Sequence, residues 1–136
     1  MNILLDTCSF LWLVSDSPEL SVNARRLFVD PENDVYLSVA SAWEIIVKHN
    51  LGKLPLPELP HDFIKNNRIR HRIESLPLDE AAVLQLSRLP EYHKDPFDRI
   101  LICQAIAGGM TILTPDSHIS RYPVRVEYNA YGFSDR

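Results

Sequence analysis

Two rhythms of apolar and polar residues alternate along the chain. Short apolar runs of strand length occur at Asn2 to Asp6, Asp34 to Ser38, Ile73 to Leu76, Met110 to Leu113 and Val124 to Tyr128. Between them, apolar residues recur every three to four positions, as on one face of a helix. The spacing predicts helices over Ser9 to Val14, from Leu20 to Asp30, from Ser41 to Asn50, over His61 to Asn67, from Asp79 to Leu86, and from Pro96 to Gly108. A turn at Asp6-Thr7 is expected to separate the first strand from the first helix. Arg68, Arg70, His71 and Arg72 then read as a basic patch leading into the third strand, and Leu54 to Pro60, with three prolines, as a loop. Strands alternating with helices specify the α/β class, a parallel sheet covered on both faces. Neither a repeat nor a low-complexity stretch interrupts the pattern, so residues 1–136 are expected to form one domain.

The last of these helices is the informative one. Asp95 suits the N-cap, Pro96 suits the first helical position, and Gly108-Gly109 supplies the stop. Its residues are apolar on nearly every face, the mark of a buried helix. Yet Asp98 lies in the first turn, on the face shared by Leu101, Ile102 and Ala105. A carboxylate on a buried face is costly unless something compensates it.

Composition narrows the possibilities only slightly. The chain has 136 residues and a formal charge of −4, which argues against a protein that coats nucleic acid but not against an enzyme that cuts it. The start lacks a basic n-region and a small-residue cleavage site, and no run reaches a membrane span, so a cytoplasmic protein without a membrane segment is expected. Cys8 and Cys103, far apart in apolar contexts, read as buried thiols rather than a bridge or a metal site.

Three further acids stand at strand ends or on neighbouring helices: Asp6 after the first strand, Glu44 on the helix after the second, and Asp116 after the fourth. Each has an ordinary explanation taken alone. Asp6 could cap a helix, Glu44 could complete a capping box with Ser41 or pair with Lys48, Asp98 could pair with the cap Asp95, and Asp116 could be a turn residue. Jointly they fit better as a cluster at the carboxyl ends of parallel strands, where open sheets bind ligands. Crowded carboxylates without histidine or cysteine partners suit a hard cation, Mg²⁺ or Mn²⁺, and the chemistry of metal-assisted phosphodiester hydrolysis.

In its motifs the chain resembles the PIN-domain ribonucleases, and among them toxins of the VapC type. The resemblance rests on Leu4-Leu5-Asp6-Thr7, Ser41-Ala42-Trp43-Glu44-Ile45, the run from Asp95 to Ala105, and Leu113-Thr114-Pro115-Asp116, in family order. Leu11-Trp12-Leu13 and Leu51-Gly52-Lys53-Leu54 also look like this subgroup. It implies a three-layer α/β/α fold with a parallel central sheet of four to five strands, and Asp6, Glu44, Asp98 and Asp116 as catalytic, metal-holding acids for Mg²⁺ or Mn²⁺. Thr7 matches a supporting hydroxyl, and Asp95 is the helix cap first and an outer metal-site residue second. An RNA substrate, a small antitoxin protein that blocks the acid crevice, and a homodimer are implied as well. Ser117-His118 departs from the larger apolar residue usual after the last acid.

Around this set, Lys48, Lys53, Arg68, Arg70 and Arg72 are candidates for RNA phosphates or plain solvated surface, and Arg99 for pairing with an acid or contacting substrate. His49, His61, His71, His93 and His118 show no metal-ligand spacing and read as surface or loop residues. Trp12 and Trp43 read as core or subunit-contact residues. Two rivals remain. A receiver-type phospho-acceptor domain would need a second acid beside Asp6 and a lysine near Ile112 to Ser117, and both are missing. A catalytically inactive PIN fold that binds RNA or protein would keep the acids without the activity.

Overall fold

The computed structural model describes residues 1–128. Five strands form the centre: β1 (Asn2–Leu5), β2 (Asp34–Ser38), β3 (Glu74–Leu76), β4 (Thr111–Thr114) and β5 (Arg125–Tyr128). They lie in the order β3-β2-β1-β4-β5, and every adjacent pair is parallel. Six helices connect them: α1 (Thr7–Val14), α2 (Val22–Val29), α3 (Val39–Asn50), α4 (Pro60–His71), α5 (Glu80–Gln85) and α6 (Pro96–Gly108). The arrangement is the three-layer α/β/α sandwich expected from the sequence. Receiver domains use the order 2-1-3-4-5 instead, so the first rival fails on topology.

Side chains alternate across the sheet as the pleat requires. Ile3, Leu5, Val35, Leu37 and Leu113 pack against Phe10, Leu13, Ala24, Ile45 and Phe63 on one face. Leu4 and Ile112 pack against Leu101, Ile102, Cys103 and Ala105 of α6 on the other. Because α6 is buried from Ile100 to Ala105, its apolar surround is accounted for by the sheet it covers. A buried polar link joins the two helices flanking β2. The Ser38 hydroxyl caps α3 and donates to Gln104 Oε1 on α6 at 2.5 Å, while Gln104 Nε2 donates to Pro77 O at 3.1 Å.

Several boundaries differ from expectation, each for a local reason. Helix α1 starts at Thr7, not Ser9, because Asp6 is itself the N-cap and no separate turn is needed. Ser41 to Glu44, expected to open the third helix or lie early in it, lie early: α3 begins at Val39 behind the cap Ser38, which removes the capping-box role considered for Glu44. Helix α4 runs four residues past Asn67, so Arg68, Arg70 and His71 sit in its last turn instead of in an extended patch. Its end was hidden because Arg72, not a glycine, takes the left-handed position, at φ 55°. Helix α5 stops at Gln85, and Leu86 to Arg88 continue as a single 3-10 turn. The polar and aromatic tail after Tyr128 lies outside the described residues.

Candidate active site

Strand order 3-2-1-4-5 places the switch point between β1 and β4, whose connections leave in opposite directions. Leu5 pairs with Leu113, so the residues that follow them emerge side by side at the carboxyl edge of the sheet. There a crevice of about 380 Å³ is lined by Asp6, Thr7, Cys8, Glu44, Lys48, Lys53, Asp95, Asp98 and Asp116. All four acids singled out in the sequence therefore meet in one place, with the supporting Thr7 and Asp95 beside them.

Asp6, Glu44 and Asp116 are each held by the local structure that its ordinary reading foresaw, whereas the Asp98 carboxylate makes no capping-box bond back to the Asp95 backbone. Asp6 Oδ1 accepts from the Ser9 N–H at 2.7 Å as the cap of α1, and its Oδ2 accepts from Thr114 Oγ1 at 2.5 Å. Glu44, buried on the second turn of α3, accepts from Thr7 Oγ1 at 2.6 Å through Oε1 and pairs with the Lys48 ammonium through Oε2. Asp116 Oδ1 accepts from the His118 N–H at 2.8 Å, capping the 3-10 turn of Ser117 to Arg121. Asp95 Oδ1 accepts from the N–H groups of Phe97 and Asp98 at 2.9 and 3.2 Å, a complete N-cap. Capping and clustering are thus compatible: a cap engages one carboxylate oxygen and still aims the residue at the crevice.

Thr114 escaped the sequence reading. Fully buried, its hydroxyl donates to Asp6 and accepts from the Asp116 N–H at 3.0 Å, joining the two strand-end acids. In the sequence it is one member of the Leu113-Thr114-Pro115-Asp116 run, with nothing to mark it as a partner of Asp6. His93 was also missed. A ring nitrogen of His93 and one carboxylate oxygen each from Asp98 and Asp116 lie within 4.8 Å of one another. Ser87 to Lys94 read as plain loop in the sequence, and only the fold brings His93 beside Asp98.

The electrostatics show what the crevice lacks. Burial, then the charges of Asp95, Asp6, Glu44 and Asp116, push the Asp98 carboxyl up to about 8. Burial also lifts Asp6 to about 6, against the lowering influence of its bonds to Thr114 and Ser9. The Cys8 thiol, partly exposed rather than buried as expected, is pushed to about 12 by burial and then by the charges of Asp6, Glu19, Asp98 and Glu44. Excess negative charge among the crevice acids suits a hard divalent cation, and among the described residues the ligand atoms that gather within 4.8 Å of one another belong to Asp98, Asp116 and His93.

Other candidates fall elsewhere. Lys48 and Lys53 line the crevice, whereas Arg68, Arg70 and Arg72 do not; Arg70 borders a neighbouring groove with Leu11, Leu54 and Phe63. Arg99 does not pair with an acid. Its guanidinium donates to the carbonyls of Leu89 and Pro90 at 3.4 and 2.8 Å and to Tyr122 Oη at 3.3 Å, which clamps the loop before α6. Trp12 packs beside the core, but Trp43 is 61% exposed, its ring edge-on to Phe97. No helix among the described residues is long and apolar enough to cross a membrane.

Comparison with known proteins bears on the family and the fold. The sequence model described as the PIN domain matches residues 3–124. Ribonuclease VapC16 of Mycobacterium tuberculosis is 34% identical over 105 residues, 76% of this chain and 70% of that protein. Among solved structures, VapBC2 from Rickettsia felis bound to a DNA fragment from its promoter superposes with a TM-score of 0.71 at 17% identity, covering 95% of this chain and 99% of that one. VapBC-5 of the VapBC family of toxin–antitoxin systems from Mycobacterium tuberculosis gives 0.60 at 17% identity over 96% and 98%. At such identities the structures speak for the fold alone.

Proposed function

We propose, because this chain belongs to the PIN-domain family, that it is a metal-dependent endoribonuclease of the VapC type, the toxin half of a toxin–antitoxin pair. The observation that carries the reading is the meeting of Asp6, Glu44, Asp98 and Asp116 in one crevice at the switch point of the sheet. The whole of 1–136 is taken as the single unit that does this, acting in the cytoplasm. A bound Mg²⁺ or Mn²⁺ would supply charge neutralisation for an in-line displacement at phosphorus.

The remaining work belongs to side chains. Asp6, Glu44, Asp98 and Asp116 hold the cation, and Thr7 and Thr114 fix two of those carboxylates by direct hydrogen bonds. Lys48 and Lys53 face the same crevice and attract the phosphate backbone of RNA. Asp95 fixes where α6 begins, and so where Asp98 points. Arg99 supports the site through the loop it clamps.

Two partners follow from the same features. Crowded carboxylates favour a basic side chain delivered by a small antitoxin, as the VapBC relatives suggest. On α3, Val39, Trp43 and Ile46 form an exposed apolar stripe at helical spacing, a surface suited to a second copy of the chain.

The test is RNA cleavage by the purified protein with Mn²⁺ or Mg²⁺, with EDTA and Asp98→Asn as controls. Cleavage abolished by both controls is expected. No cleavage at all, or cleavage that survives Asp98→Asn, would replace this reading with the inactive PIN-fold binding module. Expression without an antitoxin should arrest growth, and a healthy culture would remove the toxin role while leaving the nuclease.

A further inference from the structure

A second groove adjoins the acid crevice, and Leu11 of α1 and Leu54 line both. Its volume is about 310 Å³, the small end of the range for ligand pockets. Val14, Leu56 and Phe63 make its interior apolar. Phe63 is nearly buried and braced edge-on by Phe10, which fixes the ring.

Three polar side chains line this groove with bonding capacity unused. Asn67 of α4 is 6% exposed, and its Nδ2 donates to Phe63 O at 2.8 Å. That bond settles which amide atom is which and leaves Oδ1 an acceptor with no partner among the described residues. Unlike the enclosed orphans Ser41 Oγ, Arg68 Nε, His71 Nε2 and His93 Nε2, this oxygen keeps access from outside. The side chains of Glu58 and Arg70 line the same groove, exposed and neither hydrogen-bonded nor ion-paired.

An apolar interior with two acceptors and a donor suits a flat group that is apolar on its faces and polar at its rim. An apolar protein side chain would fill the space and leave Asn67 Oδ1 unsatisfied, whereas an unpaired nucleobase satisfies both parts. Continuity supplies the tether. An RNA strand with a phosphate at the acids, beside Lys48 and Lys53, reaches the groove across the lip that Leu11 and Leu54 share.

We propose that this groove takes one unpaired guanine of the RNA substrate, next to the phosphate being cut. Guanine's Watson–Crick edge carries one acceptor, O6, and two donors, N1–H and the N2 amino group. Arg70 donates to O6, and Glu58 and Asn67 Oδ1 accept from the two donors. Adenine, cytosine and uracil each offer a single donor group on that edge and would leave one acceptor unpaired. The inference rests on the nuclease reading above and names the base that the site reads.

Equilibrium binding in Ca²⁺ tests it, with a short uridine oligoribonucleotide carrying one guanosine and the same strand without it. The full-length protein is expected to prefer the guanosine strand about tenfold. Glu58→Ala and Arg70→Ala, both at exposed positions, should each remove most of that preference and keep the parent's Mn²⁺ affinity. Inosine in place of guanosine, which lacks the N2 amino group, should lose part of it. Ser15→Trp, which fills the groove from α1, should abolish it. Equal binding of the two strands, or a preference that survives Glu58→Ala and Arg70→Ala, overturns the guanine site and leaves the nuclease reading intact. RNA binding untouched by Ser15→Trp overturns it in favour of a protein segment in the groove. A guanosine preference in a protein that cleaves no RNA keeps the guanine site and removes the nuclease reading.

Discussion

Thr114 Oγ1 donates to Asp6 Oδ2 across the β1–β4 boundary, a 2.5 Å bond between residues 108 positions apart. It opposes the burial that lifts Asp6, and it fixes that carboxylate beside Asp116. Thr114→Val keeps the shape and removes the hydroxyl. A loss of about 1–3 kcal/mol in urea denaturation is expected, together with a cleavage profile displaced to higher pH, because Asp6 would climb further above 6. An unchanged profile would mean that Asp6 does not limit activity.

Metal-free protein should lose stability as pH rises. Asp6 at about 6 and Asp98 at about 8 lie above the ordinary 3.8, so between roughly pH 4 and 8 the folded state holds protons that the unfolded state has released. Stability therefore falls across that window, and the loss is complete above the higher value. Thermal scans of the parent and of Asp98→Asn should diverge as pH rises, the variant being the more stable at pH 8. The same variant should lose at least about 100-fold in cleavage, the removal of a charged ligand costing several kcal/mol. Added Mn²⁺ should raise the parent's melting temperature more at pH 8 than at pH 5.

The two roles assigned to Asp95 separate by substitution. Asn caps helices as well as Asp but carries no charge. Asp95→Asn should leave stability unchanged in denaturant titration, whereas Asp95→Ala should cost about 1 kcal/mol. If Asp95→Asn also lowers Mn²⁺ affinity tenfold, the carboxylate belongs to the metal site as well as to the helix.

Lys48 is a resident cation on Glu44. Its ammonium is half exposed, so the pair contributes about 0–1 kcal/mol to stability and Lys48→Met should unfold almost like the parent. Without that competitor Mn²⁺ should bind about threefold more tightly, while RNA should bind more weakly. Calorimetric titration distinguishes this from weaker Mn²⁺ binding, which would show that the pair holds Glu44 in its ligating pose.

The apolar stripe on α3 predicts the oligomeric state. Trp43→Glu places a charge at the centre of the face formed with Val39 and Ile46, and should convert a dimer to a folded monomer in light scattering. A parent that is already monomeric would remove the dimer from the reading.

Much of this was legible in the residues, and what was not has physical causes. Strand and helix identities followed from period, because α6 is apolar all round and β1, β2 and β4 are short buried runs. The acids stood out because a carboxylate such as Asp98 is out of place on a buried helix. Thr114 and His93 carried no such signal: a hydroxyl at a strand end and a histidine in a loop are ordinary until tertiary contacts give them partners. Arg99 misled for the opposite reason. Adjacent to Asp98 in sequence, it turns instead to backbone carbonyls that no local pattern reveals. The end of α4 stayed hidden because a left-handed arginine replaced the expected glycine.

The pairing of β1 with β4 also sets when the site can exist. Asp6 follows β1 directly, but the strand that carries its partner Thr114 begins only at Thr111. Closing so long a loop is among the slower steps available to a folding chain. A growing or prematurely terminated polypeptide that ends before β4 carries Asp6, Glu44 and Asp98 but has neither Thr114 nor Asp116 to complete the crevice. A crevice with all four acids in place therefore exists only once β4 has paired with β1.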